Sequence, residues 1–330
     1  MGNRISVAMV LAASLGVAAA FAQQTPDTIE GHRAAAKVAA GSEHSGLLNT
    51  VCPPPRPADS GGGAVPAAAA PQARQTPARE QWYAEPVKVF DNLYFVGQTE
   101  YSAWAVNTSD GIILIDTIFD YSVEAEVVDG LKKLGLDPSK IKYAIVSHGH
   151  GDHSGGAKFL QDRFGTRIIM GAPDWEMVAR STRDPAPKRD IVASDGQKLT
   201  LGDTTLTLYL TPGHTPGTIS TLIPVKDHGR PHLMAEWGGT AFNFARTPEN
   251  FKIYINSAQR FREIVAKAGA DGVIANHTGF DGTKQKVPAL ARRAAGASHP
   301  YVIGNAAVQR YMTVAEECAR AALLEVSGSR

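Results

Sequence analysis

Between residues 147 and 153 the chain reads Ser147-His148-Gly149-His150-Gly151-Asp152-His153, four potential metal ligands within six residues. The segment follows the apolar run Tyr143-Ala144-Ile145-Val146, which reads as a buried strand, and precedes a helical pattern over Gly155 to Phe164. A chain leaving a strand aims residues two apart to one side, so His148 and His150 point together. The turn into the helix then positions Asp152 and His153. Gly149 and Gly151 let the backbone bend tightly around an ion. Imidazole and carboxylate donors suit zinc. Four such groups set this densely repel one another when protonated and gain no stability from their crowding without a metal.

The rest of the chain limits what can surround this cluster. It has 330 residues, 43% hydrophobic and 20% charged, enough to bury a sizeable core. Thirty-three basic residues oppose 32 acidic ones, which argues against a general nucleic-acid binder or a polybasic membrane protein. The first 22 residues read as a secretory signal. Arg4 begins it, an apolar and small run follows over Ile5 to Ala20, and Ala20-Phe21-Ala22 is a cleavage site. The expectation is an exported protein, periplasmic or secreted, with no membrane anchor after cleavage. Residues 23–81 are an N-terminal extension with one short helix expected over Ala34 to Leu48, then a Pro/Gly/Ala-rich linker over 53–79. The folded domain is expected over 82–330. Cys52 and Cys318 are the only cysteines, either bridged or two free thiols.

Strands are expected at Val87 to Phe90, Leu93 to Val96, Ala103 to Asn107, Ile112 to Ile115, Tyr143 to Val146 and Ile168 to Met170. The second half adds Leu199 to Leu201, Thr205 to Leu210, Ser220 to Pro224, His232 to Ala235 and Val273 to Ala275. Helical spacing marks Val123 to Leu134, with Gly135 as its cap. A longer helix starts at the Thr247 cap with Pro248 in its first turn and ends at Gly269. Two more close the chain, near Val287 to Ala295 and Ala306 to Val326. This alternation predicts an α/β fold with helices covering sheets.

Two further histidines sit at strand ends. His214 lies in Thr211-Pro212-Gly213-His214-Thr215-Pro216-Gly217, and His277 follows Val273-Ile274-Ala275-Asn276. His32, His44, His228, His232 and His299 have no such setting. The run His148 to His153, the Gly213 to Gly217 turn and Asn276-His277 together resemble the metallo-β-lactamase superfamily over roughly residues 85–290. The histidine at 153, and a histidine rather than a cysteine at 277, look most like subclass B3 metallo-β-lactamases. That resemblance implies an αββα sandwich with two zinc ions at one edge of its sheets. His148, His150 and His214 match the first site, Asp152, His153 and His277 the second, and Asp116 a bracing aspartate behind them. Trp104, Trp237, Thr240 and Phe242 are candidate walls of a substrate pocket. The B3 resemblance implies hydroxyl side chains after Leu233-Met234-Ala235 that help hold a substrate carboxylate, and the segment here departs from that pattern. It reads Glu236-Trp237-Gly238-Gly239-Thr240, with Thr240 its one hydroxyl. Glu236 is expected not to bind metal.

The chemistry follows from the donors. A zinc-bound water is acidic near neutral pH and attacks a carbonyl carbon. Asp152 is the catalytic residue, orienting that water and taking part in proton transfer. The chain has no Gly-x-Ser-x-Gly elbow and no phosphate-binding loop, so an acyl-enzyme or nucleotide mechanism has no footing. The expected substrate is a small molecule. β-Lactam hydrolysis is the leading expectation. Hydrolysis of a lactone, thioester or small ester on the same scaffold is the alternative, and a non-catalytic secreted binding protein the remote one. A redox diiron centre fits this histidine-rich set less well.

Overall fold

The computed structural model describes residues 25–53 and 76–328. The expected signal over residues 1–22 and most of the expected linker lie outside the described residues. Two helices come first, α1 (Ile29–Ala40) and α2 (Ser45–Val51). The single helix expected over 34–48 is therefore two, and it begins earlier. Thr28 caps α1 by accepting from the Gly31 N–H, and Gly41 at φ 52° ends it.

Seven strands form the first sheet in sequence order: β1 (Val87–Lys88), β2 (Leu93–Phe95), β3 (Trp104–Thr108), β4 (Gly111–Ile115), β5 (Ile141–Ile145), β6 (Arg167–Met170) and β7 (Ile191–Val192). Pairing is antiparallel through β4 and parallel from β4 to β7. A π-helical stretch, Glu124–Val128, leads into α3 (Asp129–Lys133); then α4 (Gly151–Ser154), α5 (Ala157–Phe164) and α6 (Ala172–Ala179) follow. The second sheet has the order β12-β11-β10-β9-β8. Its strands are β8 (Gln197–Leu201), β9 (Thr204–Leu210), β10 (Ile219–Asp227), β11 (Arg230–Trp237) and β12 (Gly272–Ala275). Helix α7 (Pro248–Ala268) lies between β11 and β12, and α8 (Thr283–Ala291) and α9 (Asn305–Val326) close the chain. β7 and α6 were not legible in the sequence: β7 is two residues long, and α6 has only a weakly one-sided apolar pattern.

The two-residue alternation of the strands builds the layers. In β4, Ile113 and Ile115 face the other sheet, whereas Ile112 and Leu114 face helices. Between the sheets, Phe95, Trp104, Ile113 and Ile145 meet Leu206, Leu208, Ile219 and Ile274. Outside the first sheet, Val127, Leu131, Leu160 and Trp175 cover Leu114, Ala144 and Ile168. Outside the second, α7 and α9 bury Phe261, Val265, Val314 and Ala315 against Trp237 and Val273. The result is an αββα sandwich.

The N-terminal extension joins this last layer. Ala36, Ala40, Leu47 and Val51 are buried among the side chains of α7 and α9. Cys52 is disulfide-bonded to Cys318 of α9, so of the two alternatives the bridge is the one realised. No helix among the described residues is long and apolar enough to cross a membrane.

Candidate metal centre

The donor-bearing segments leave the carboxyl ends of β5, β9 and β12 at one edge of the sandwich, and Asp116 and Gly238 follow the carboxyl ends of β4 and β11 beside them. His148 follows β5 and is 2% exposed. Its Nδ1 lies 2.8 Å from the carbonyl oxygen of Gly238, just past β11. A carbonyl only accepts, so Nδ1 carries the proton and Nε2 keeps its lone pair. His214 repeats the arrangement, with Nδ1 2.5 Å from the Ala241 carbonyl. His214 Nε2 then stands 3.1 Å from His148 Nε2 and 3.1 Å from His150 Nδ1. Three ring nitrogens converging at this spacing match the ~3.3 Å edge of a tetrahedron with zinc–nitrogen bonds near 2.0–2.1 Å. Burial lowers all three imidazoles below their ordinary range, His148 furthest and His214 to about 4. Neutral imidazole is the form that binds metal.

Asp152, His153 and His277 form the second group, and in each group the donor atoms lie within 4.8 Å of one another. His153 is wholly buried, with Nδ1 2.8 Å from Asp116 Oδ2. Its Nε2 faces His277 Nε2 at 3.3 Å and Asp152 Oδ2 at 3.2 Å. Burial opposes the charged form of His153, but Asp152 and Asp116 outweigh it and raise the group to about 10. The pocket between the two aspartates therefore attracts a positive charge, proton or metal ion alike. Burial would push the Asp152 carboxyl up, yet His153 and His277 hold it well below the carboxylate range. Burial draws His277 down to about 3. The donor chemistry of both groups fits zinc.

Asp116 and Asp174 brace the two groups from behind. Asp116 accepts the Ser147 N–H at 2.7 Å and the Ser147 hydroxyl at 2.9 Å, besides His153. Asp174 was not singled out in the sequence. From α6 it accepts the Gly149 N–H at 2.8 Å, the Gly217 N–H at 2.9 Å and the Thr215 hydroxyl at 2.6 Å. It thus ties the loop of His148 and His150 to the loop of His214. A Cβ on Gly217 would lie 2.6 Å from Asp174 Oδ1, so this approach needs glycine. Asn276 donates to the Gly238 carbonyl at 2.9 Å and so fixes the acceptor of His148. No sequence signal marks Asp174, because its role exists only once α6 packs beside both loops.

Several expected site residues are elsewhere. Trp104 and Trp237 are each 1% exposed; Trp104 packs between the sheets and Trp237 against α7. Thr240 is also 1% exposed, and Phe242 packs against Phe251 and Tyr254. Trp104, Trp237 and Thr240 build core rather than a cleft: strand alternation turns the tryptophans inward, and the Tyr254 hydroxyl, bonded to the Thr240 carbonyl, draws that turn into the α7 layer. Phe242 is half-buried at the margin of that layer and lines a cavity with Arg246, Cys52 and Cys318. Glu236 belongs to neither donor group and is fully buried. His32, His44, His232 and His299 bond to Glu317, the Ala307 carbonyl, Asp271 and the Val89 carbonyl. His228 is a surface residue beside Asp227.

The family model of the metallo-β-lactamase superfamily matches residues 96–228. An N-acyl homoserine lactonase from a Bacillus species is 31% identical over 153 residues, 44% of this chain and 59% of the lactonase. The N-acyl homoserine lactonase AttM of Agrobacterium fabrum is 34% identical over 109 residues, 29% of this chain and 41% of that protein. The chain thus spans about three fifths or less of the length of these curated relatives. Among solved structures, the subclass B3 metallo-β-lactamase BJP-1 of Bradyrhizobium japonicum superposes with a TM-score of 0.60 at 25% identity, covering 72% of this chain and 92% of that one. The metallo-β-lactamase FEZ-1 of Legionella gormanii, at 24% identity, has a TM-score of 0.65 over 74% of this chain and 97% of its own and shares the fold. The two-sheet sandwich with paired donor groups at its edge thus has the metallo-β-lactamase fold architecture, and residues 96–228 are similar to that superfamily in sequence.

Proposed function

We infer that the protein is an exported zinc-dependent hydrolase that opens neutral cyclic or small esters, lactones first among them. The observation that carries the choice of substrate is the burial of Thr240. In the segment where hydroxyls were expected to hold a substrate carboxylate, the one hydroxyl is 1% exposed and beneath the surface. A β-lactam carries such a carboxylate and a lactone does not. The curated relatives named above are lactonases, which supports the same reading. β-Lactam hydrolysis is the second reading, favoured by the likeness to BJP-1.

His148, His150 and His214 would hold one zinc ion, and Asp152, His153 and His277 the other. When bound, the ions supply Lewis-acid polarisation of a carbonyl and a water made acidic near pH 7. The protein supplies the rest. The Gly238 and Ala241 carbonyls fix the tautomers of His148 and His214, and Asp116 fixes that of His153. Asp152, ionised and 22% exposed, is the group at the site able to orient water and carry a proton to the leaving alkoxide. Glu236 stays out of this machinery. The Cys52–Cys318 disulfide supports an oxidising, extracytoplasmic setting.

The test is parallel turnover of an acyl lactone, a thioester and a cephalosporin by zinc-loaded protein. Lactone turnover that a chelator abolishes and a serine-directed inactivator spares is expected. A cephalosporin rate above the lactone rate would give priority to the second reading, and no turnover of any of the three would end both.

A further inference from the structure

Beneath the donor groups, between the two sheets, the apolar core gives way to a polar layer. Thr221 of β10 lies two residues from both Ile219 and Ile223, which belong to the core between the sheets. Alternation therefore turns Thr221 inward as well. Glu236 of β11 stands opposite Thr221 in the antiparallel register and opposite Ile274 of β12 in the parallel one, so it faces the same way. Asn276 follows Ile274 by two residues, and its amide reaches the Ser147 hydroxyl past the end of β5 at 3.4 Å. Ser102, two residues before Trp104, joins from the first sheet, its N–H donating to the Asn276 carbonyl at 2.9 Å.

Ser102, Thr221 and Glu236 are fully buried, and Asn276 is 2% exposed. Five of their oxygens have no hydrogen-bond partner among the described residues: Ser102 Oγ, Thr221 Oγ1, both Glu236 carboxyl oxygens and Asn276 Oδ1. The orientation of Asn276 follows from its other half. The Gly238 carbonyl can only accept, so Nδ2 is the atom 2.9 Å from it and Oδ1 is the one left over. Buried polar groups are paired in folded proteins, because an unpaired one forfeits its bond to water and gains nothing in return. Orphaned oxygens from both sheets in one layer call for a shared guest that can donate.

Water is the guest the layer fits. An internal water makes about two to four hydrogen bonds in a site lined by polar groups. A bare hard cation takes about six oxygens or more, and the layer offers five. The Asp116 carboxylate is committed to Ser147 and His153. Burial, with Asp116 nearby, raises the Glu236 carboxyl above its ordinary range, which suits a neutral guest.

We propose that Glu236, Thr221 and Asn276 bind a water molecule between the sheets, and that this water braces the first donor group. It occupies Asn276 Oδ1 and so keeps Asn276 Nδ2 on the Gly238 carbonyl, the acceptor that holds His148 Nδ1. An amide turned the other way would set Oδ1 against that carbonyl, and the two would repel. Glu236 belongs to neither donor group. It is a positioning residue that acts through the water and Asn276. The role is independent of which bond the metal centre hydrolyses.

An atomic-resolution crystal structure of zinc-loaded protein tests the site, and competition with a chromophoric chelator tests the brace. Solvent density is expected within hydrogen-bond distance of Glu236, Thr221 and Asn276, and unchanged after soaking in rubidium chloride. Glu236→Leu should lose the water and lower the affinity of one zinc equivalent by about tenfold. Thr221→Val keeps the side-chain shape, which guards against misfolding, and should shift the affinity the same way. Glu236→Gln keeps a polar head of the same length and should keep both the water and the affinity. A dry site, an anomalous rubidium signal, or wild-type zinc affinity in folded Glu236→Leu would each overturn the proposal.

Discussion

Asp116 Oδ2 sits 2.8 Å from His153 Nδ1, and the same carboxylate accepts both the N–H and the hydroxyl of Ser147. One side chain at the end of β4 therefore sets the tautomer of a second-group ligand and the position of the residue preceding His148. Asp116→Asn should break both, because an amide cannot accept from all three donors. The expected result is a weaker second metal site, at least tenfold in zinc affinity, and a comparable fall in kcat/KM. Competition with a chromophoric chelator measures it, and unaltered zinc affinity counts against the bracing role.

The six ligands predict two zinc equivalents per chain by elemental analysis of protein grown with zinc. Asp152→Ala should lose one equivalent and most turnover, whereas His214→Ala should damage the first site. Less than one equivalent of any transition metal in the wild type would contradict the two groups of donors.

Glu236→Gln separates a buried neighbour from a ligand. Burial, with Asp116 nearby, pushes this carboxyl well above its ordinary range, which favours its neutral form. An isosteric amide should keep both zinc equivalents and nearly all activity. Loss of one equivalent on this substitution would make Glu236 a ligand.

Glu126 gives a pH dependence away from the metal centre. It is 1% exposed, and burial raises its pKa from 4.5 to about 8, although the Ala84 N–H pulls the other way. Between those values the folded state keeps a proton that the unfolded chain has lost. Stability from this group is thus full below pH 4.5 and declines as pH rises, by roughly 1.4 kcal/mol per unit, until about 8. Glu126→Gln should flatten that part of the profile in urea titrations at several pH values. A wild-type profile that rises across this interval and is unchanged by the substitution would refute it.

The disulfide fastens α2 to α9 across 266 residues of sequence. Cys52→Ser should lower the unfolding free energy by about 2–5 kcal/mol and make the 25–53 segment the first site of proteolysis. Zinc content should be unchanged, since neither cysteine belongs to a donor group. A variant with wild-type stability and protease resistance would show that α1 and α2 hold by packing alone.

The four donors at 148–153 and most strands and long helices were legible in the sequence for local reasons, whereas Asp116 came only with the family resemblance. A buried strand alternates or runs apolar, and a ligand at a strand end follows it directly. His214 and His277 needed more. Each is an ordinary histidine alone, and the family resemblance joined them to the cluster at 148–153. The sequence could not show which way a side chain turns once two sheets face each other. Trp104 and Trp237 looked available and are core, because alternation sends one between the sheets and the other under α7. Asp174 joins loops that are 68 residues apart at Gly149 and Gly217, and the Tyr101–Phe119 contact joins two strand ends across the site. Those relationships arise from packing between distant segments, which no local pattern encodes. Residue types and spacing thus determined the donor cluster at 148–153, while the convergence of His214 and His277 on it and the braces behind it were decided only when the sheets closed.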